Sequence, residues 1–194
     1  MRKGPPRYDL PRAAPEPLRR VQLFVNTTDH ERTRELLGSP SQVQDWLGTH
    51  VRGPLRVGPA GAERARRFRQ TLRDLIGGGS PDARAQLEET ARRARLTVFL
   101  DPPRIAAQAQ GLDGALGELA AITYEAMRDG SWSRLKACRN CGFLYWDASR
   151  NRSAAWCSMH LCGNRLKVRR HRNLQRFEAL KESHPGPSRA KTTS

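Results

Sequence analysis

The stretch CRNCGFLYWDASRNRSAAWCSMHLC, residues 138–162, holds all four cysteines of the 194-residue chain. They form two close pairs, Cys138 with Cys141 and Cys157 with Cys162. Thiolates paired in this way can complete a tetrahedral shell around Zn²⁺, and the metal can then fold a segment too small to fold on a hydrophobic core. The spacing predicts one structural zinc ion held by these four residues.

Two disulfides, a redox pair and buried free thiols are the alternatives to zinc. Residues 1–18 are rich in proline and contain no apolar stretch typical of a secretory signal, so we expect a cytoplasmic protein, in which disulfides are rare. A second cysteine pair argues against a redox motif. His160 is an alternative fourth ligand, because it stands three residues after Cys157. With four protein ligands no position is left for water, so we expect no catalysis at the metal.

The residues between the cysteines predict a small treble-clef-like finger. Gly142 suits the positive φ of a metal-binding knuckle. Residues 143–146 and 154–156 are predicted to form a short β-hairpin around the polar turn 147–153. A basic helix should begin at Gly163, directly after the last ligand. Asp147 and Asn164 are interpreted as local structural polar groups.

These motifs together resemble the CGNR zinc finger, a family named for the tetrapeptide that stands here at residues 162–165. The resemblance also rests on residues 138–151 and on the stretch 156–159. In that family the finger follows a mostly helical domain called ABATE, and residues 24–27, 39–40 and 45–47 resemble its opening segments. The resemblance implies a bacterial transcription regulator whose helical domain senses a ligand or a stress.

The charge of the chain indicates a polyanionic partner. The formal net charge is +16, and 12 of the 35 Lys and Arg residues lie within residues 134–181. At 100° per residue, four arginines of the predicted helix fall in one narrow sector, beside an apolar sector that would pack. The alternative is a merely solvated charged face. The candidate nucleic-acid-binding residues are Arg165, Lys167, Arg169, Arg170, Arg172 and Arg176.

The rest of the chain predicts a mainly α protein. We expect a disordered arm at 1–17, a helical domain at 18–130, the finger at 134–181 and a disordered tail at 182–194. Apolar periodicity, caps and breakers predict helices over 18–28, 40–49, 60–76, 81–95 and 113–128, with a strand at 96–100. This helical domain is expected to fold without zinc.

Several polar and aromatic residues of the helical domain invite a functional interpretation. Asn26, Thr27 and Thr28 could line a ligand pocket, but caps or a buried hydrogen-bond network are favoured. Trp46 is predicted to lie in the core. The sequence contains no membrane-spanning apolar run and no assembled acid, base and nucleophile, so neither a membrane protein nor an enzyme is expected.

Two functions therefore remain. The first is a zinc-dependent DNA-binding transcription regulator with an N-terminal sensing or assembly domain that could take a small-molecule effector. The alternative is an interaction module, in which the finger binds structured RNA or an acidic protein surface such as that of the transcription machinery. Small zinc folds serve both purposes, so the fold does not decide between them.

Overall fold

The computed structural model describes residues 12–29, 33–53 and 55–164, together with positions 168, 172, 173 and 175. The chain divides into two compact units, residues 1–157 and residues 158–194. In the described part of the first unit, five α-helices accompany three two-stranded antiparallel sheets. The predicted mainly α fold class is confirmed.

The five helices begin close to the predicted signals. They are α1 (Leu18–Val25), α2 (Pro40–His50), α3 (Pro59–Ile76), α4 (Pro81–Arg93) and α5 (Gly111–Arg128). The Ser39 hydroxyl accepts from the Gln42 N–H, and the Gln42 side chain accepts from the Ser39 N–H, which completes a capping box before α2. The Ser80 hydroxyl caps α4 by accepting from the Ala83 N–H. Both helices also have proline at their first position.

Helix α1 ends at Val25, three residues before the end that the apolar periodicity predicts. The chain then forms β1 (Thr28–Asp29), which pairs antiparallel with β2 (Arg34–Glu35). The Thr27 hydroxyl donates to the Phe24 carbonyl at 2.7 Å and so satisfies one of the last carbonyls of the helix. Thr28 therefore lies in a strand, and the polar residues before it terminate the helix.

Helices α1, α3 and α5 bury one shared hydrophobic core. Phe24 of α1 is fully buried, and its ring centroid lies 5.3 Å from that of Trp46, which is a core residue as predicted. Leu72 of α3 is equally buried. Helix α5 passes so close to the end of α4 that a Cβ added to Gly117 would lie 2.1 Å from the Ala94 Cβ. Only glycine fits at that crossing.

The predicted strand at 96–100 is present as β3 (Leu96–Leu100), and it has a partner that the sequence did not suggest. This partner is β4 (Pro103–Ala107), with Leu96 opposite Ala107. The sequence predicts that Pro103 closes a strand, but in the structure it is the first residue of β4. The first position of a strand tolerates the missing N–H of proline. Within the described residues no third strand joins this hairpin.

The hairpin of the finger differs from the prediction. Strand β6 (Leu144–Trp146) pairs with β5 (Leu135–Ala137), and not with residues 154–156. Instead, the Ala154 carbonyl accepts from the Tyr145 hydroxyl at 2.6 Å, and the Ala155 carbonyl accepts from the Arg139 N–H at 3.2 Å. The predicted hairpin was therefore wrong in its pairing, because these carbonyls are used by a side chain and by the knuckle.

Residues 12–17, which the sequence assigns to the disordered arm, pack against the rest of the first unit. The Arg12 carbonyl accepts from the Trp146 N–H at 2.9 Å. Ala14 is buried, and its N–H donates to the Gln22 side chain at 2.7 Å. The ordered structure thus begins earlier than predicted. Residues held by backbone hydrogen bonds need no periodic apolar pattern, so no sequence pattern indicated them. Residues 1–11 of the predicted arm lie outside the described residues.

The second unit begins with a π-helical turn, Met159–Gly163, in which the N–H groups of Cys162 and Gly163 both donate to the Ser158 carbonyl. Positions 164, 168, 172, 173 and 175 are helical, as expected for the basic helix. The remainder of that predicted helix and the tail 182–194 lie outside the described residues. None of the described helices has both the length and the apolar character that crossing a membrane requires.

Candidate metal centre

The four cysteine sulfurs lie within 4.8 Å of one another. Zinc with tetrahedral Zn–S bonds of about 2.3 Å would place its sulfurs about 3.8 Å apart. The Sγ atoms of Cys141 and Cys157 are 3.7 Å apart, which is that spacing and far longer than a disulfide bond. Cys141 is half-buried, whereas Cys138, Cys157 and Cys162 are buried. The donor set and its spacing fit Zn²⁺.

The first two sulfurs are presented by a knuckle between β5 and β6. The Gly142 N–H donates to the Cys138 carbonyl at 2.8 Å, and the Cys138 N–H donates to the Phe143 carbonyl at 2.9 Å. Gly142 has a φ of +69°, which closes the turn and strains any residue with a Cβ. The glycine that the sequence assigned to a positive φ therefore has one.

The other two sulfurs follow the loop after β6. Cys157 ends the first unit, and Cys162 lies within the π-helical turn of the second. The side chain of His160, the alternative ligand, lies outside the described residues. Because four sulfurs already meet the requirement of a tetrahedral ion, the geometry offers no reason to replace one of them with an imidazole.

Close packing of the thiols separates their affinities for a proton. Hydrogen bonds from the Cys141 and Cys157 thiols lower the pKa of Cys138 far below its ordinary value. In return, Cys138 raises the pKa of Cys141 to about 11. Neighbouring thiolates at this spacing repel one another, so Cys138 and Cys141 do not both ionise unaided at neutral pH. A divalent cation would remove this repulsion when bound.

Helix α3 contacts the knuckle through Arg73. Its Nη1 donates to the Gly142 carbonyl at 2.8 Å, and its Nη2 donates to the Val25 carbonyl at 3.1 Å. Burial and repulsion from Arg69 lower the pKa of Arg73. One guanidinium thus joins the end of α1 to the turn beside Cys141. Sequence reasoning missed Arg73, because nothing in its neighbourhood signals a partner so far along the chain.

Helix α1 and the residues after it hold β6. The Asn26 Nδ2 donates to the Leu144 carbonyl at 2.9 Å, and its Oδ1 accepts from the Leu144 N–H at 2.8 Å. Gln22 donates to the same carbonyl at 3.1 Å, and Thr27 accepts from the Arg69 guanidinium at 2.9 Å. Asn26 and Thr27 therefore belong to a buried hydrogen-bond network, the interpretation that the sequence favours over a ligand pocket.

Asp147 organises the loop between β6 and Cys157. Its carboxylate is fully buried and accepts from Lys136 at 2.7 Å, from the N–H and hydroxyl of Ser149, and from the Ala154 N–H. Burial opposes ionisation, but the bonds from Lys136 and Ser149 outweigh it and hold the pKa of Asp147 well below its ordinary value. Asp147 is thus a structural polar group, as predicted.

Most of the candidate nucleic-acid-binding residues are not described. Arg165, Lys167, Arg169, Arg170 and Arg176 lie outside the described residues. Arg172 is helical and exposed, and Asn164 is exposed at the start of the same run. The predicted basic helix face therefore stays a prediction.

The helical domain also contains a cavity. It has a volume of about 660 Å³ and lies between the β3–β4 hairpin and α5. Its walls are mostly apolar, and one side carries Arg20, which contacts Glu118 at 2.7 Å. A volume of this size is typical of small-molecule sites.

Comparison with known families matches both parts of the chain. A family described as “ABATE: Putative stress-induced transcription regulator” matches residues 18–130, which is more than half of the chain. A second, described as “zf-CGNR: CGNR zinc finger”, matches residues 134–175. A search of curated proteins gives no match.

Proposed function

The chain belongs to the ABATE family and carries a CGNR zinc finger, and on this premise we propose that it is a zinc-dependent DNA-binding transcription regulator. The finger would contact DNA, and the helical domain would sense a signal or assemble the protein. The observation that carries the proposal is the cluster of four sulfurs at the start of the most basic part of the chain.

We propose that the metal has a structural role. One Zn²⁺ held by the four thiolates would have a complete tetrahedral shell, and this leaves no position for a water or a substrate. The ion would connect the knuckle, the loop that Asp147 organises and the turn that leads into the basic run. We therefore expect no enzymatic activity at this centre.

DNA is the proposed partner because the finger and the run after it carry an excess of positive charge. The finger and the run after it, residues 134–181, hold 12 Lys and Arg residues, with Asp147 and Glu178 as the acids of that range. The buried Asp147 carboxylate is paired with Lys136, so it offsets that one cation of the twelve. An excess of cationic residues favours a phosphate backbone.

Helix α1 connects the cavity to the finger, which supports a sensing role for the helical domain. Arg20 lines the cavity, and Gln22 on the same helix holds Leu144 of the finger hairpin. A ligand that separated Arg20 from Glu118 would change the contacts of α1, the helix that holds β6. We propose this cavity as the effector site.

Selection from a pool of random DNA duplexes tests the DNA proposal, with structured RNA of equal charge as the competitor. We expect the zinc-loaded protein to enrich a DNA motif. Its affinity should fall steeply with salt, because each neutralised phosphate contributes about −0.9 to the slope of log K against log[salt]. Preference for the RNA, or binding that enriches no motif, would contradict the proposal and favour the RNA or protein-interaction alternative.

A further inference from the structure

Three exposed arginines lie within the first unit, before the basic run of 165–176. They are Arg139 in the knuckle, and Arg150 and Arg152 in the loop after β6, and we call the three the loop arginines. Among the described residues, no carboxylate forms an ion pair with any of them. Asp147 is the acid nearest to them in sequence, and its carboxylate is buried against Lys136.

The loop that carries Arg150 and Arg152 is tightly fixed. The Arg134 guanidinium donates to the carbonyls of Asp147 and Ser149, at 2.9 and 3.1 Å. Lys136 donates to the carbonyl of Arg152, and Arg152 in turn donates to the Ser133 hydroxyl at 2.9 Å. The loop is therefore ordered by β5 and the residues before it.

This fixation matters for binding, since ordering a mobile loop costs free energy at the moment of contact. Here the loop backbone is already held by hydrogen bonds with the Asp147 carboxylate and by hydrogen bonds from Arg134 and Lys136. Arg152 even has a left-handed φ of 48°, which its carbonyl contact with Lys136 helps to maintain. Arg150 and Arg152 are thus presented on a preorganised support.

The exposed residues at position 139 and within 148–153 favour, by their composition, a phosphate backbone over a protein partner. The core of a protein interface is enriched in large apolar and aromatic side chains. The exposed large hydrophobic residues of the described chain all lie elsewhere, and none falls at residue 139 or within 148–153. The exposed polar side chains here are the three arginines, Asn151 and Ser153, and all are residue types that contact phosphates.

We propose that the loop arginines contact the phosphate backbone of bound duplex DNA, in addition to any contact made by the basic run. This inference rests on the proposed DNA-binding function. It assigns the loop a positioning role, because phosphate contacts fix the register and orientation of a protein on the duplex without reading its sequence.

The test is the double variant Arg139→Gln, Arg150→Gln, which removes two charges and leaves Arg152 to hold the loop. The matched control is Arg56→Gln, Arg84→Gln, two exposed arginines of the helical domain. Binding of the selected duplex is measured over a range of salt concentrations. The loop variant should flatten the salt slope by about 1.8, as two lost phosphate contacts require, and the control should leave it nearly unchanged.

Zinc content and thermal unfolding of both variants show whether the fold is intact. If the two variants change the slope equally, only net charge matters and the inference is overturned. If the loop variant leaves the slope unchanged while Arg169→Ala, Arg172→Ala flattens it, the loop inference fails and the proposed function stands. If the unmodified protein shows no salt-dependent duplex binding, the proposed function itself fails.

Discussion

At the scale of single residues, Asp147 shows how one buried charge can organise an exposed loop. Its two carboxylate oxygens accept four hydrogen bonds, two from Ser149 and one each from Lys136 and Ala154. A fully paired buried carboxylate is stable, whereas an amide in its place would direct an N–H₂ group toward donors. The position therefore requires an acid.

Replacing Asp147 with Asn should lower the free energy of unfolding of the zinc-loaded protein by about 1–3 kcal/mol, because buried donors lose their acceptor. The pKa of Asp147 is lowered in the folded state, so its stabilisation is present above the unfolded pKa of about 4 and is lost only as the pH falls below it. Urea unfolding should thus give the same difference at about pH 5.5 and pH 7.5. Asp45→Asn, at an exposed position of α2, is the control. A difference that shrinks at the lower pH would contradict this account.

The sequence predicted the four-cysteine cluster because its signal is local. Two close cysteine pairs define a sulfur site by spacing alone, and the structure brings all four sulfurs together. Asn26 and Arg73 carry no such signal, since their partners in the finger, Leu144 and Gly142, lie far along the chain. Their roles depend on the tertiary fold, which a periodic pattern does not encode.

At the scale of elements, the knuckle between β5 and β6 explains the misassigned hairpin. The two strands are joined by the turn that contains Cys138 and Cys141, so the ligand turn is itself the hairpin loop. Propensity correctly located a strand near residues 143–146 but gave no means of choosing its partner. Helix starts were predicted better, because a serine cap followed by proline acts within a few residues.

Replacing Gly142 with Ala should destabilise the finger through backbone strain. A Cβ there would meet only the Arg73 guanidinium, at 3.7 Å, so the cost comes from the φ of +69° rather than from a clash. We expect a loss of about 1–2 kcal/mol in the free energy of unfolding and a corresponding loss of zinc affinity. Gly53→Ala is the matched control, because that glycine has open space and no positive φ. Equal effects of the two substitutions would contradict the role of the turn.

At the scale of the whole molecule, the helical core extends into the finger segment of the first unit. Leu135 of β5 and Leu144 of β6 are buried in the same hydrophobic cluster as Phe24 and Leu72. The sequence led to the expectation that residues 18–130 fold without zinc, because each part has its own stabilising pattern. The shared core gives a physical reason to expect coupling between the metal and the helices.

Removing zinc should therefore weaken the helical domain as well as the finger. A ligand at 100 times its Kd stabilises the folded state by about 2.7 kcal/mol. Because α1 and α3 share a core with the finger segment, part of this stabilisation should extend to them. Hydrogen exchange of the α1 and α3 amides, with and without a strong chelator, measures how much of this stabilisation reaches the two helices. Asn26→Ala cuts the bonds to Leu144, so chelation should affect α1 less in that variant. Amides of α1 and α3 that exchange at the same rate with and without zinc would show that the helical domain is independent of the metal.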